Sequence, residues 1–313
     1  MSGVLRAGRR RSATAAVVLA AVMAGAAVQG CTTATRSPEP LTAELNQFRD
    51  NYGTQVIEIQ ISNTGSVPVR ILSTEVSTPL FPSGTAWQAP PEGTEVPPGQ
   101  TKSLPARLPA PACAGPSTDG SRTGEPPSAG EADAVAGGGP AEVTLSVRQG
   151  STVSGKRLPA TDPFGVLARN HSELCLAQVA GQTADMSLDP ELEVAEDGRT
   201  AVVRLRVTPR AAGSGTARTL TIERIEGTTL LAEAPGSPWP RGITVAAGAG
   251  PREISLRIRP ARCDPHAVAE DKVGTLLPLR VDAGGRQGLL KVSAGAVLKA
   301  RLYEFVTAAC AAH

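Results

Sequence analysis

The sequence predicts a mainly β protein that contains two tandem antiparallel β-sandwich domains of immunoglobulin-like architecture. Three observations predict this fold class: short segments in which apolar and polar residues alternate, an internal repeat, and one pair of cysteines in each copy of the repeat. Alternation with a period of two, interrupted by Gly and Pro, is typical of antiparallel strands with one solvated face. Two such sheets packed face to face form a sandwich of ordinary domain size.

Alternation is clearest in five short segments, each followed closely by Gly or Pro. The apolar positions in these segments are Ile57, Ile59 and Ile61; Val143, Leu145 and Val147; Val203, Leu205 and Val207; Ile254, Leu256 and Ile258; and Leu277, Leu279 and Val281. Polar residues such as Glu58 and Arg204 stand between many of them. We therefore expect the apolar set to face a core and the polar set to face water.

Two parts of the chain show the same landmarks in the same order, and we name them copy one (41–182) and copy two (183–313). A segment that begins VIEIQIS at Val56 matches one that begins VVRLRVT at Val202. A lone tryptophan follows each segment, and a cysteine follows that tryptophan after 26 residues in copy one and 24 residues in copy two. Equal order and near-equal spacing predict a duplicated domain.

The repeat also predicts which cysteines pair. Cys113 and Cys175 bracket segments equivalent to those between Cys263 and Cys310, so we expect one disulfide within each copy. A loop of this size, once closed, stabilises a domain by about 4 kcal/mol on the chain-entropy model. The tryptophan precedes both cysteines instead of lying between them, so the prediction concerns the immunoglobulin-like architecture and not the antibody superfamily.

A short closing helix is expected at the end of each copy. In copy one, Asp162 is a candidate N-cap with Pro163 at the first helical position, and Leu167, His171 and Leu174 share one face. The helical positions expected in copy two are Val297, Leu298, Arg301, Leu302, Phe305 and Val306. Each disulfide would then tie a helix to the end of a strand.

The N-terminal segment 1–30 has the features of an export signal. Four arginines precede residue 12, and an uncharged apolar run extends from Ser12 to Val28. The sequence Val28-Gln29-Gly30-Cys31 then resembles the lipobox of bacterial lipoproteins. This resemblance implies removal of residues 1–30, attachment of a diacylglycerol and further acyl chains such as palmitate to Cys31, and anchoring at the extracytoplasmic face of the cell membrane.

The cysteine count agrees with that interpretation, because acylation of Cys31 leaves four cysteines, an even set that suits an oxidising compartment. Two alternatives remain open: a retained membrane-spanning anchor, and an ordinary cleavage site followed by a leftover cysteine.

Two further segments are expected to have no regular structure. Residues 31–40 would form a polar tether. Residues 114–140, rich in Gly and Pro with one large apolar residue, are expected to form a disordered surface loop.

Charge gives a weak indication of partners. The full chain carries a net charge of +2, and without the four signal arginines it holds 27 basic and 29 acidic residues. Copy two presents four arginines on expected outward strand faces, Arg204, Arg206, Arg257 and Arg259, which form either a solvated face or a patch for anionic envelope polymers or lipid headgroups. Nucleic acid is not an expected partner, because no aromatic residues interleave with these arginines.

The sequence contains no nucleophile elbow, zinc-protease motif, phosphate-binding loop or dinucleotide fingerprint, so no enzymatic activity and no cofactor are expected. The stretch RCDPHAVAEDKVGT, residues 262–275, is similar to a stretch of uncharacterised secreted proteins of actinobacteria. In it Asp264, His266 and Glu270 form a candidate ligand or divalent-metal site, with Glu270 four residues beyond His266 on one helical face. The alternative is a capped turn that braces the disulfide.

These observations favour a non-enzymatic, membrane-anchored lipoprotein that presents its tandem domains to an envelope protein or polymer. The alternative function is that of an extracytoplasmic carrier for a small ligand or metal, which would use the region of His266 or a groove between the domains. A third function, that of a hydrolase whose catalytic residues are scattered along the chain, is disfavoured by the missing motifs. The sequence indicates no oligomeric state.

Overall fold

A computed structural model describes residues 40–113, 140–212 and 218–311. The predicted signal peptide (1–30), the tether (31–40, except Pro40) and the loop (114–140, except Pro140) lie outside the described residues. All of these described residues belong to one compact unit. The predicted division of this unit into two separately folding domains stays a prediction.

Strands dominate both copies, as the alternation predicts. In copy one the elements are β1 (Leu41–Asn46), β2 (Val56–Asn63), β3 (Val69–Thr78), β4 (Phe81–Gln88), β5 (Thr94–Val96), β6 (Thr101–Arg107), β7 (Ala141–Gln149), β8 (Thr152–Thr161) and α1 (Val166–Gly181). In copy two they are β9 (Ala184–Leu188), β10 (Glu193–Val194), β11 (Ala201–Pro209), β12 (Thr219–Ile225), β13 (Leu231–Glu233), β14 (Ile243–Ala246), β15 (Arg252–Pro260), α2 (Pro265–Ala269), β16 (Leu276–Ala283), β17 (Arg286–Ser293) and α3 (Ala296–Ala311). Across the described part of the chain, none of these helices has the length and apolar character needed to cross a bilayer.

The strands of copy one form a single eight-stranded sheet in the order β4-β3-β7-β8-β1-β2-β6, with β5 paired to β3. Its two end strands, β4 and β6, contact each other, so the sheet is a nearly closed barrel. Copy two instead has two sheets, β10-β11-β15-β13 with β9 on β11, and β14-β12-β16-β17. The difference arises at one place: β1 and β8 join through a short parallel pairing, in which Ala43 faces Ala160.

Apart from that junction, most strand pairings of copy one recur in copy two. The equivalent antiparallel pairs are β1–β2 with β9–β11, β2–β6 with β11–β15, β3–β7 with β12–β16, β3–β5 with β12–β14, and β7–β8 with β16–β17. In the strand register, Val56 pairs with Arg107 just as the equivalent Val202 pairs with Arg257. An irregularity in register follows Ile71 on β3 and also Ile222 on β12. Shared pairing and a shared irregularity are what a duplicated unit produces.

Each copy has its own apolar core, and α1 contributes to both. Val166 and Leu167 at its start belong to the core of copy one, whereas Leu176 and Ala180 near its end belong to the core of copy two. The expected inward positions of the five alternating segments are all buried. Because α1 packs on both sides, the sequence boundary near residue 182 does not separate the two cores cleanly.

Both predicted disulfides are confirmed. Cys113 bonds to Cys175 and Cys263 bonds to Cys310, with Cα–Cα distances of 5.5 and 5.2 Å. Each bond fastens a helix, as expected, but α1 and α3 are 16 residues long and so are not short closing pieces.

The expected start of α1 is wrong by three residues. The helix begins at Val166, after Gly165 in a left-handed conformation with φ of 58°, and Pro163 lies outside it. Asp162 still satisfies the helix start, because its carboxylate accepts hydrogen bonds from the N–H groups of Val166 (2.7 Å) and Leu167 (2.9 Å). In α3 the expected apolar positions are buried except Val297, which is 55% exposed.

Candidate functional site

The candidate metal ligands Asp264, His266 and Glu270 lie on and beside α2, immediately after Cys263. Asp264 is the N-cap, and its Oδ1 accepts a hydrogen bond from the N–H of Ala267 at 2.8 Å. His266 and Glu270 are exposed, and Glu270 ends the helix by donating its N–H to the carbonyl of His266 at 2.9 Å. Within 40–113, 140–212 and 218–311, no group of three or more His, Cys, Asp or Glu side chains is arranged to hold a metal ion. The three residues therefore form a capped turn in this structure.

Asp271, which was not among the candidate ligands, makes the most side-chain hydrogen bonds in the same stretch. The carboxylate of Asp271 accepts hydrogen bonds from the N–H of Gly274 (2.8 Å), the hydroxyl of Tyr303 (2.9 Å) and the hydroxyl of Thr229. Burial, together with this hydrogen bond and the charge of Asp271, raises the pKa of Tyr303 to about 12. Asp271 thus ties the segment after α2 to α3 and to the loop before β13.

Gly274 is closely packed against Asp271 and the loop before β13. A Cβ at this position would lie 2.4 Å from the Cβ of Leu230 and 2.5 Å from the carboxylate of Asp271, closer than real side chains approach. The Asp-x-x-Gly spacing of residues 271–274 is a turn signal that could have indicated the turn from the sequence, but not the contact of Asp271 with Tyr303. These contacts hold the stretch 262–275 against α3 and the loop before β13, beside the second disulfide.

Strands β11 and β15 present the four arginines of the candidate basic patch, but two of these arginines are neutralised. Arg204 forms ion pairs with Glu193 and, at 3.3 Å, with Glu253. Arg206 forms an ion pair with Asp189, and its Nε lies 3.8 Å from Glu253. The positive charge expected on β11 is therefore largely cancelled by acids that are distant in sequence.

Arg257 and Arg259 on β15 differ from the two arginines of β11 in having no carboxylate partner among the described residues. Both are exposed, and none of the ion pairs in the described residues involves either of them. Arg259 lines an open groove of 490 Å³ beside the Cys263–Cys310 disulfide. Two arginines that the sequence did not single out, Arg199 and Arg262, line the same groove. Since they come from the β10–β11 turn and the segment after β15, only the fold brings them together.

A second open groove, of 290 Å³, lies between β9 and β17, where α1 ends. It is lined by Asp185 and Met186 on one strand and by Leu290 and Lys291 on the other. A much smaller space of 10 Å³, inside the core of copy two, is lined mainly by apolar residues. That void is far below the volume of a small-molecule pocket.

His171 of α1 has a structural environment. Its Nε2 lies 2.9 Å from the carbonyl oxygen of Ala112, and its ring meets the ring of Phe81 edge-on at 6.0 Å. It also lies 3.7 Å from the sulfur of Cys175. These contacts pack the imidazole against the first disulfide.

No model of a known protein family matches the chain, and neither does any curated protein. Among solved structures, the exo-chitosanase CsxA of Amycolatopsis orientalis aligns at 13% identity and a TM-score of 0.20, covering 82% of this chain and 26% of the enzyme. The CupB2 chaperone of Pseudomonas aeruginosa aligns at 11% identity and a TM-score of 0.19, covering 78% of this chain and 94% of the chaperone. The adhesin InvE of Yersinia pseudotuberculosis gives 10% identity and a TM-score of 0.15, covering 82% and 59%. At these TM-scores the likenesses carry no argument about fold or function.

Proposed function

We propose that the protein is a non-enzymatic lipoprotein, anchored through Cys31 to the extracytoplasmic face of a cell membrane, which presents tandem immunoglobulin-like domains to a partner in the envelope. The observation that carries the proposal is the pairing of the other four cysteines in two disulfides. Disulfides of this kind persist in oxidising compartments, and the pairing leaves Cys31 as the odd cysteine of the chain. Lipid attachment requires a free thiol at the last position of the lipobox, which is the position of Cys31.

The strand pairings support the tandem architecture. Copy two has two antiparallel sheets on either side of one core, which is the arrangement of a sandwich. Copy one has the equivalent pairs, joined into one sheet by the β1–β8 contact. We infer that the duplicated unit is an immunoglobulin-like sandwich and that the parallel junction is a local addition in copy one.

A binding role is favoured over transport of a small ligand. The enclosed void of 10 Å³ holds no more than about one water molecule. The grooves of 290 and 490 Å³ are open to solvent, and it is this openness, not their size, that suits contact with a macromolecule, since small-ligand clefts have volumes of about 300–1,000 Å³. The residues proposed for a metal carrier, Asp264, His266 and Glu270, form the capped turn described above.

The anchor is tested by metabolic labelling with radioactive palmitate in a bacterial host, comparing the parent chain with Cys31→Ser. The parent should carry label and fractionate with membranes. The variant should carry no label, and it should be either released or retained in its uncleaved form. Thr33→Ala, two residues downstream, is the matched control and should behave as the parent. An unlabelled parent, or a Cys31→Ser variant that runs and fractionates like the parent, would contradict the proposal.

A further inference from the structure

The groove beside the Cys263–Cys310 disulfide is lined by three arginines, Arg199, Arg259 and Arg262, and by one acid, Asp197. No ion pair found among the residues that the structure describes involves any of these three arginines. The groove therefore carries an excess of positive charge. Arg204 and Arg206, by contrast, each have two carboxylate partners.

Main-chain carbonyls hold two of the three guanidinium groups in place. Arg262 donates from Nε to the carbonyl of Thr229 at 2.7 Å, and Arg259 donates from Nη1 to the carbonyl of Pro260 at 2.9 Å. A carbonyl accepts a hydrogen bond without cancelling the positive charge. Because a guanidinium has five N–H donors, each of these arginines keeps donors for a ligand.

The single acid of the lining, Asp197, accepts hydrogen bonds from the backbone. Oδ1 of Asp197 accepts a hydrogen bond from the N–H of Arg199 at 2.9 Å and lies 3.4 Å from the N of Thr200. The carboxylate thus shapes the turn that carries Arg199 and does not pair with a groove arginine. An open, positively charged groove of 490 Å³ is suited to a linear anionic chain that lies along it.

We propose that this groove binds the phosphate groups of a linear phosphate-bearing polymer of the cell envelope. Arginine recognises phosphate through paired N–H···O bonds, and each phosphate within a linear chain offers two non-bridging acceptor oxygens for such a pair. Arginine is the residue of choice for phosphate recognition, so three arginines on one groove suit a chain that repeats its phosphate groups. The proposal rests on the extracytoplasmic location proposed above for the identity of the polymer, but binding itself does not require the lipid anchor.

The test measures binding of linear inorganic polyphosphate to the mature chain carrying Cys31→Ser, with poly-L-glutamate of equal charge as the carboxylate competitor. Arg199→Gln and Arg259→Gln should each weaken the affinity for polyphosphate by about tenfold or more, because each removes charge-assisted hydrogen bonds. Arg252→Gln is the matched control: it removes the same charge from an exposed position on β15, and Arg252 lies about 23 Å along the strand from Arg259. Its affinity should stay within about threefold of the parent. Thermal unfolding of all variants confirms that each one folds.

Four results would overturn the proposal: no binding of polyphosphate, equal affinity for poly-L-glutamate, equal loss in Arg252→Gln, or tighter binding to phosphatidylglycerol vesicles than to polyphosphate. The last result would indicate a membrane surface as the occupant. Failure here leaves the palmitate experiment unaffected, since that experiment concerns Cys31 and not the groove.

Discussion

The ring centroid of Tyr52 lies 5.3 Å from the ammonium group of Lys291, so a residue of the loop after β1 contacts a strand of copy two. The guanidinium of Arg169 on α1 lies 5.2 Å from the same centroid, and Lys291 also forms an ion pair with Glu173 on α1 at 2.6 Å. Nearby, a Cβ on Gly53 would lie 2.9 Å from a methyl group of Leu276. The loop after β1, helix α1 and the sheet of β16 and β17 therefore meet at one contact between the two copies.

Replacing Tyr52 with Ala should destabilise this contact. Two cation–π interactions at partly exposed positions are together worth about 1–2 kcal/mol, which corresponds to a fall in Tm of about 2–8 °C. Tyr52→Phe keeps the aromatic face and should unfold within about 1 °C of the parent. Calorimetry of the three proteins checks this. Equal Tm values for Tyr52→Ala and the parent would show that the ring does not stabilise the contact.

Helix α1 should couple the two cores. Leu176→Ala removes a side chain that is 2% exposed in the core of copy two, and Leu167→Ala removes one that is 4% exposed in the core of copy one. Each substitution should cost about 2–5 kcal/mol. Hydrogen exchange should then increase mainly in β9, β16 and β17 for Leu176→Ala, and mainly in the sheet of copy one for Leu167→Ala. The exposed Ser172→Ala on the same helix is the control.

If Leu176→Ala leaves exchange in copy two unchanged, the helix belongs to copy one alone and a chain cut near Gly181 would yield two intact cores. If the expected result is obtained, a copy-two fragment that begins at Thr183 lacks part of its core. The prediction that each half folds alone then requires a copy-two fragment that includes α1.

The disulfides should stabilise the two copies by similar amounts. The bonds close loops with sequence separations of 62 and 47 residues, and the chain-entropy model gives about 4 kcal/mol for each. Replacing Cys263 and Cys310 together by Ser should therefore lower the free energy of unfolding by about 4 kcal/mol, as measured in urea. The Cys113/Cys175 pair is the internal comparison. Peptide mapping without reduction should link the cysteines within each copy, and a Cys113–Cys263 peptide would contradict the structure.

How far the sequence predicts this molecule depends on how local each feature is. Inward positions such as Ile59 and Leu205 follow from alternation, because the strand period alone assigns them to a face. The disulfides follow from the repeat, because it aligns Cys113 with Cys263. Neutralisation of Arg206 by Asp189 could not be predicted, since the two residues are brought together by the pairing of β9 with β11.

Residues 262–275 show the same difference between local and distant contacts. Asp264 was recognisable as a cap from its neighbours in sequence, whereas the role of Asp271 depends on Tyr303, 32 residues away. Arg199 and Arg259 likewise share a groove only after β11 and β15 have paired. Features that require two distant segments were the ones that sequence patterns missed.

The contact between Tyr303 and Asp271 gives the last prediction, which concerns alkaline pH. The pKa of Tyr303 is raised from 10 in the unfolded chain to about 12 in the folded protein. Between these values the unfolded chain loses the phenolic proton while the folded protein keeps it. The stability associated with this group is therefore fully present below pH 10 and is lost as the pH rises from about 10 to 12.

Tyr303→Phe should lower stability at pH 8, because Asp271 loses a hydrogen bond, and should reduce the fall in stability between pH 8 and 11.5. Urea unfolding of the parent, Tyr303→Phe and the control Tyr52→Phe at both pH values measures the difference. A Tyr303→Phe protein that loses as much stability as the parent over this range would show that another group causes the alkaline instability.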